Sequence, residues 1–410
     1  MEAPPDPSLT RPEPSLTRNG PAPTSGGRRQ PVVARRRGAG VRWRLLVLLL
    51  GGMSLLAGLD AGLVRLAVWA PVDSDRLADL HGVTMVLGFL GTVIALERAQ
   101  ALRRTWALAA PALLGGGSVW LIIGLPVRSG QLMMLLGAAL LAAVLSALWR
   151  RSWAPVIMAQ VLAAGLATVA AALLVVRPVT DVVPLLIAFV VITVVAERAE
   201  LAQLSMGERA VPHLVGWATT ISLGAVLALT VEELGGRLLG IGLVGAAAWL
   251  LADDVGRRTV RTAGQPRFVA VALLAGTTWL GIGGAGWVIW GFPESTEQLD
   301  IAVHTVFLGF AMSMVMAHAP TILPAVLGRR FPYRSVLWLP LLVLQVALAV
   351  RVVAAAASLA AGWQLGGVLT VAALVIFVVT GVVLVARPGA AADTTVTDTQ
   401  VTTRGRGDSA

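Results

Sequence analysis

The chain carries four histidines, His81, His213, His304 and His318, and neither cysteine nor lysine. Without a lysine amine there is no Schiff base for retinal or pyridoxal phosphate. Without cysteine there are no iron-sulfur clusters, thioether-attached haem, thiolate chemistry or disulfides. Any metal has to be held by His, Met, carboxylate or backbone groups. Two of the histidines fall in one apolar stretch, LDIAVHTVFLGFAMSMVMAHAPTILPAVLGRR, from Leu299 to Arg330. Ionisable side chains at bilayer depth are costly without partners and mark functional positions. His304 and His318 are fourteen residues apart, which on a helix puts them within about 40° of one face and roughly 21 Å apart along the axis. Chemistry on this helix therefore has two levels, one near each membrane surface.

The elements that position these residues follow from composition. Hydrophobic residues make up 57%, charged residues 13%, and mean hydropathy is +0.81, far from a soluble globular chain. Apolar runs long enough to cross about 30 Å of hydrocarbon occur at 45–70, 77–97, 106–125, 131–149, 153–176, 181–197, 211–231, 237–252, 268–290, 299–322, 335–358 and 363–386. The runs are continuous rather than alternating, which excludes a β-barrel. The expected fold is an all-α polytopic membrane bundle of about twelve helices, over residues 41–387. It is flanked by a disordered basic tail at 1–40 and a disordered Thr- and Asp-rich tail at 388–410. All 32 basic residues are arginine, and the net charge of +10 is concentrated in the N-terminal tail and alternate loops. That distribution predicts a plasma-membrane protein with both termini in the cytoplasm and lipid, not nucleic acid, as its surroundings. An echo at an offset of one hundred residues superposes Glu97, Arg98 and Ala99 on Glu197, Arg198 and Ala199. It reads either as a repeat or as two helices ending alike at a charged interface.

With odd helices running outward and even ones inward, His81 and His304 lie at nearly the same depth below the outer surface, on the second and tenth spans. Two imidazoles at one depth on different helices suit axial ligation of a haem, and Gly82, Gly88, Gly91 and Gly309 leave room for a macrocycle or for close helix packing. His318 and His213 fall at the inner side, where a second metal site or plain interfacial roles are both open. Met312, Met314 and Met316 alternate instead of sharing a face, so packing accounts for them better than a thioether ladder. Three more charges interrupt apolar runs. Asp60 and Arg65 point about 140° apart on one helix. Arg351 matches the depth of Asp60, so an Asp60–Arg351 pair is expected. Arg65 either snorkels to the outer interface or, like Arg351, binds an anionic group such as a haem propionate.

The pattern H-x-x-x-M-x-x-G-F at His81, Met85, Gly88 and Phe89, together with H-x-x-x-x-G from His304 to Gly309 and the further His318, resembles the NnrS family. Its members are twelve-helix haem and copper membrane proteins associated with nitric oxide metabolism. The resemblance implies haem b with His81 and His304 as ligands and His318 as a weaker metal candidate. Where that family shows histidines and a Glu ahead of the Met, this chain has Val83 and Thr84, so copper binding does not carry over. A broader likeness to haem-copper oxidase subunit I stops at the helix count. Two haems and a copper there take six histidines, this chain has four, and its one tyrosine, Tyr333, lies in a loop. The expected function is haem binding linked to nitric oxide metabolism or electron transfer, with a redox partner. The alternatives are a secondary transporter and a cofactor-free accessory factor of a membrane reductase.

Overall fold

A computed structural model describes residues 32–201, 207–254, 256–327 and 331–386. Among them are twelve helices long and apolar enough to span a membrane: α1 (Arg42–Arg65), α2 (Asp75–Leu102), α3 (Thr105–Ile122), α4 (Val127–Ser152), α5 (Pro155–Leu173), α6 (Val179–Leu201), α7 (Gly207–Leu227), α8 (Glu232–Asp253), α9 (Gly264–Trp290), α10 (Thr296–Thr321), α11 (Ser335–Ala356) and α12 (Ala360–Ala386). The protein is a multi-pass helical membrane bundle. Each apolar run becomes one helix because in hydrocarbon every backbone N–H and C=O must be bonded within its own segment. The chain divides into Met1–Gly40 and Val41–Ala410, and the bundle is the second unit.

Two boundaries differ from expectation. The helix containing α1 begins at Val32, inside the stretch read as a polar tail, since adding turns to an existing helix avoids the cost of nucleation. The expected tails at 1–31 and 388–410 lie outside the described residues. At its other end α1 stops at Arg65 rather than near residue 70, and Ala67 turns the chain with φ 53°. Asp60 and Arg65 thus belong to the last turns of α1, not its middle.

Burial ranks the helices. The apolar stretch of α6 is 83% buried and that of α10 is 72%, against 22% for α12, so α6 and α10 form the centre. Hydrophobic residues all round mark α6 as a helix surrounded by others; Leu185, Ile187, Phe189 and Val191 are all at most 1% exposed. α2 packs beside them, and its residues share one core cluster with those of α6 and α10.

α2 and α10 share an irregularity. Each changes from α to π winding just after its histidine, over Thr84–Gly91 and Thr305–Met312. The two segments carry one pattern, T-x-x-L-G-F-x-x-T/S, at an offset of 221 residues. A π turn displaces the i−4 bonding ladder, and the threonine that opens each segment bonds backward. The Thr84 hydroxyl donates to Leu80 O and His81 O, and that of Thr305 donates to Ile301 O. The glycine of each pattern sits where a neighbour comes close: a Cβ on Gly88 would lie 2.3 Å from Ser118 Oγ, and one on Gly309 2.4 Å from Trp279 Cβ.

Candidate functional site

His81 and His304 come together. Their ring centroids are 6.3 Å apart and the planes tilt by 40°. Both rings border a cavity of about 230 Å3, which Met85, Arg65, Arg351 and Trp363 also line. At about 30 Å3 of liquid volume per water, the space is on the order of eight waters.

Each imidazole is oriented by its Nδ1. That of His81 lies 2.8 Å from Gly58 O, and that of His304 lies 2.9 Å from Asp300 O. A backbone oxygen only accepts, so Nδ1 carries the hydrogen in both rings, and Nε2 is the nitrogen left for a metal when the ring is neutral. This is the arrangement in which metal-ligating histidines are held by an outer hydrogen bond. α1 makes the seat for His81 with glycines four residues apart on one face. A Cβ on Gly62 would come 3.3 Å from His81 Cε1, and Gly58 supplies the accepting carbonyl.

The seat of His304 is ionic. Asp300 Oδ1 is 3.1 Å from His304 Nδ1. The same carboxylate takes two bonds from Arg351, Nε to Oδ2 at 2.9 Å and Nη2 to Oδ1 at 2.6 Å. Both charges are buried, and the Arg351 guanidinium lies 5.7 Å from the centre of the Trp363 ring. The expected Asp60–Arg351 pair is therefore not formed. Asp60 Oδ1 instead accepts from the backbone N of Val72 at 3.0 Å, because α1 ends early and brings the following loop back over Asp60. Equal depth and opposite sign identified the right arginine and the wrong acid. The spacing Asp300-x-x-x-His304, one helical turn, was the missed signal. Arg65 is exposed at the rim of the cavity, with Nη1 3.5 Å from Ala78 O.

His318 is elsewhere. It sits toward the other end of α10, Nδ1 2.8 Å from Met314 O, and Nε2 is buried with no partner among the described residues. His213 packs against Trp249, with centroids 5.7 Å apart. Among the described residues no group of three or more His, Cys, Asp or Glu could hold a metal ion. His81 and His304 form a pair, and two ligands are all that a haem requires of the protein.

The E-R echo resolves into contacts. Arg98 of α2 is hydrogen-bonded to Glu197 of α6, and Arg198 makes a forked pair with Asp254 just past α8, at 2.9–3.0 Å. Asp254 Oδ1 also accepts from Gly256 N at 2.8 Å. The repeated pair ties central helices together rather than capping two separate ones.

A comparison with curated proteins finds no match. The model of a domain of unknown function, DUF8744, matches residues 44–386, the whole helical bundle, and the chain belongs to that family.

Proposed function

We propose that the protein binds one haem b through His81 and His304 and serves as an electron carrier in the plasma membrane, within nitric oxide metabolism as the resemblance to NnrS implies. The observation that carries this reading is the ring separation. Two imidazoles holding one metal between them, each about 2 Å from it through Nε2 with roughly 1.1 Å more from nitrogen to ring centre, would have centroids about 6.2 Å apart. The separation in the protein is 6.3 Å. The rings' own environment supports it further, since both border the cavity and both have Nδ1 tied to a backbone oxygen. Arg65 at the rim and Arg351 within, whose Nη1 takes no part in the Asp300 pair, suit the propionates of such a group. His81 and His304 would both be used in holding the haem, and the chemistry that the group would supply there is electron transfer.

The test is an absorption spectrum of the full-length protein, purified after expression with haem supplied, oxidised and then reduced. A Soret band with the sharp reduced bands of six-coordinate low-spin haem is expected. Absence of a Soret band ends the haem reading and leaves the transporter alternative in front.

A further inference from the structure

The second level of chemistry lies at the opposite end of the same central helices. At matching offsets from a buried phenylalanine, Phe89, Phe189 and Phe310, stand Glu97 on α2, Glu197 on α6 and His318 on α10, eight residues further along each. Arg98 bridges the acids: it is hydrogen-bonded to Glu197, and its Nη2 lies 3.8 Å from Glu97 Oε1. Arg198 and Asp254 form a closed neutral pair alongside. His318 experiences the charges of Glu197, Arg198 and Asp254, and Glu97 those of Glu197, Arg98 and Glu200.

Set aside the closed pair and Glu200, which is exposed at the rim. Among the described residues two carboxylates then face one guanidinium, an excess of one negative charge. Leaving a buried charge uncompensated is expensive, and the usual outcome is that a proton neutralises it. Two buried nitrogens show that the cluster is not saturated. Arg98, 9% exposed, has an Nε with no partner, and His318 has a partnerless Nε2. A third, the amide nitrogen of Gln100, lies on the same helix end. The side chain of Glu97 is 32% exposed, more than that of Arg98 at 11% or Glu197 at 15%, so Glu97 is the port to water. In the other direction the three phenylalanines, at most 7% exposed and in one core cluster, stand between this cluster and the cavity.

We propose that the arginine-rich end of α2, α6 and α10 is a proton-binding site that holds one exchangeable proton shared among Glu97, Glu197 and His318. The proton comes from water at that end through Glu97 and returns there; Arg98 fixes the position of the acids. The site does not depend on the haem reading, because no part of it touches the cavity.

Infrared difference spectra of the full-length protein in detergent, taken between mildly acidic and mildly alkaline pH, test this. In the unaltered protein a protonated-carboxyl C=O band should disappear in the same step that changes the imidazole ring modes. Glu97→Gln or Glu197→Gln should remove that band, and His318→Gln should move its midpoint by about tenfold or more in proton concentration, since groups sharing a proton titrate together. Glu294→Gln, at the other end, should change nothing. The proposal fails if no carboxyl band titrates in the unaltered protein, a result that needs no variant to fold. It also fails if the band survives both glutamine variants, or if His318→Gln leaves the midpoint within about twofold.

Discussion

The two ends of the central helices use the same kinds of side chain to opposite effect. At the His81–His304 end an Arg–Asp pair, Arg351 with Asp300, stands behind a histidine that borders open space. At the opposite end an equally buried and equally forked pair, Arg198 with Asp254, joins two helices' ends and backs no ligand. A buried ion pair is weak evidence of stabilisation in itself, because desolvation offsets most of the attraction. What separates the two ends is what the carboxylate touches next: an imidazole in one case, a backbone N–H in the other. The first arrangement tunes a ligand and the second closes a joint.

The largest effect that could break this comparison is loss of a ligand. His81→Ala and His304→Ala should each reduce haem retention by more than about 100-fold, beyond the 10–100-fold typical of outer-shell losses around a metal. Each should leave the proton titration at the far end intact. Next come the two ion pairs, probed alike. Asp254→Ala strands a buried guanidinium and should destabilise the protein by about 3–5 kcal/mol in denaturant titrations, with haem loading per folded molecule unchanged. Adding Arg198→Met should restore most of that stability, short of what the Gly256 bond supplied. Asp300→Ala should cost a similar amount, and haem affinity should also fall by about 10–100-fold because His304 loses its orienting carboxylate. If Asp254→Ala lowers haem affinity as much as Asp300→Ala, the distinction between ligand-tuning and joint-closing pairs is gone.

The twelve helices were legible because each apolar run is long and poor in charge, and lipid allows only one backbone solution. The equal depth of His81 and His304 followed from counting residues inward from those boundaries. Lateral placement was not legible. Depth and charge sign match Arg351 equally well to any acid at its level, and only the packing of α10 against α11 selects Asp300 over Asp60. The E-R echo was visible, yet its meaning depended on α2 and α6 being neighbours, so that Arg98 reaches Glu197. The π segments had a signal that went unread: one T-x-x-L-G-F-x-x-T/S pattern on both histidine helices. Periodicity analysis assumes 3.6 residues per turn and is blind to a stretch that departs from it.

A smaller effect concerns the glycine seat. Gly62→Ala adds a methyl 3.3 Å from His81 Cε1. Overpacking of this kind costs about 1–3 kcal/mol, and better helix propensity returns about 0.8–1 kcal/mol, so net stability should change by no more than about 2 kcal/mol. The ring, though, is pushed toward the cavity. The expected result is a several-fold weaker hold on haem in a protein that unfolds almost normally, the reverse of Asp254→Ala.

The smallest effect belongs to the exposed pair on α8, Glu233 with Arg237, one turn apart at 2.7 Å with side chains 73% and 48% exposed. By distance it equals the Arg351–Asp300 contact. Water and salt screen it, and holding two long side chains together costs entropy, so Glu233→Gln should alter stability by less than about 0.5 kcal/mol and alter neither haem binding nor the proton titration. Repeating the unfolding measurement at high salt sharpens the point. Screening should erase what little difference remains at this pair, while the cost of Asp254→Ala and Asp300→Ala persists, because burial and not proximity makes those two pairs matter.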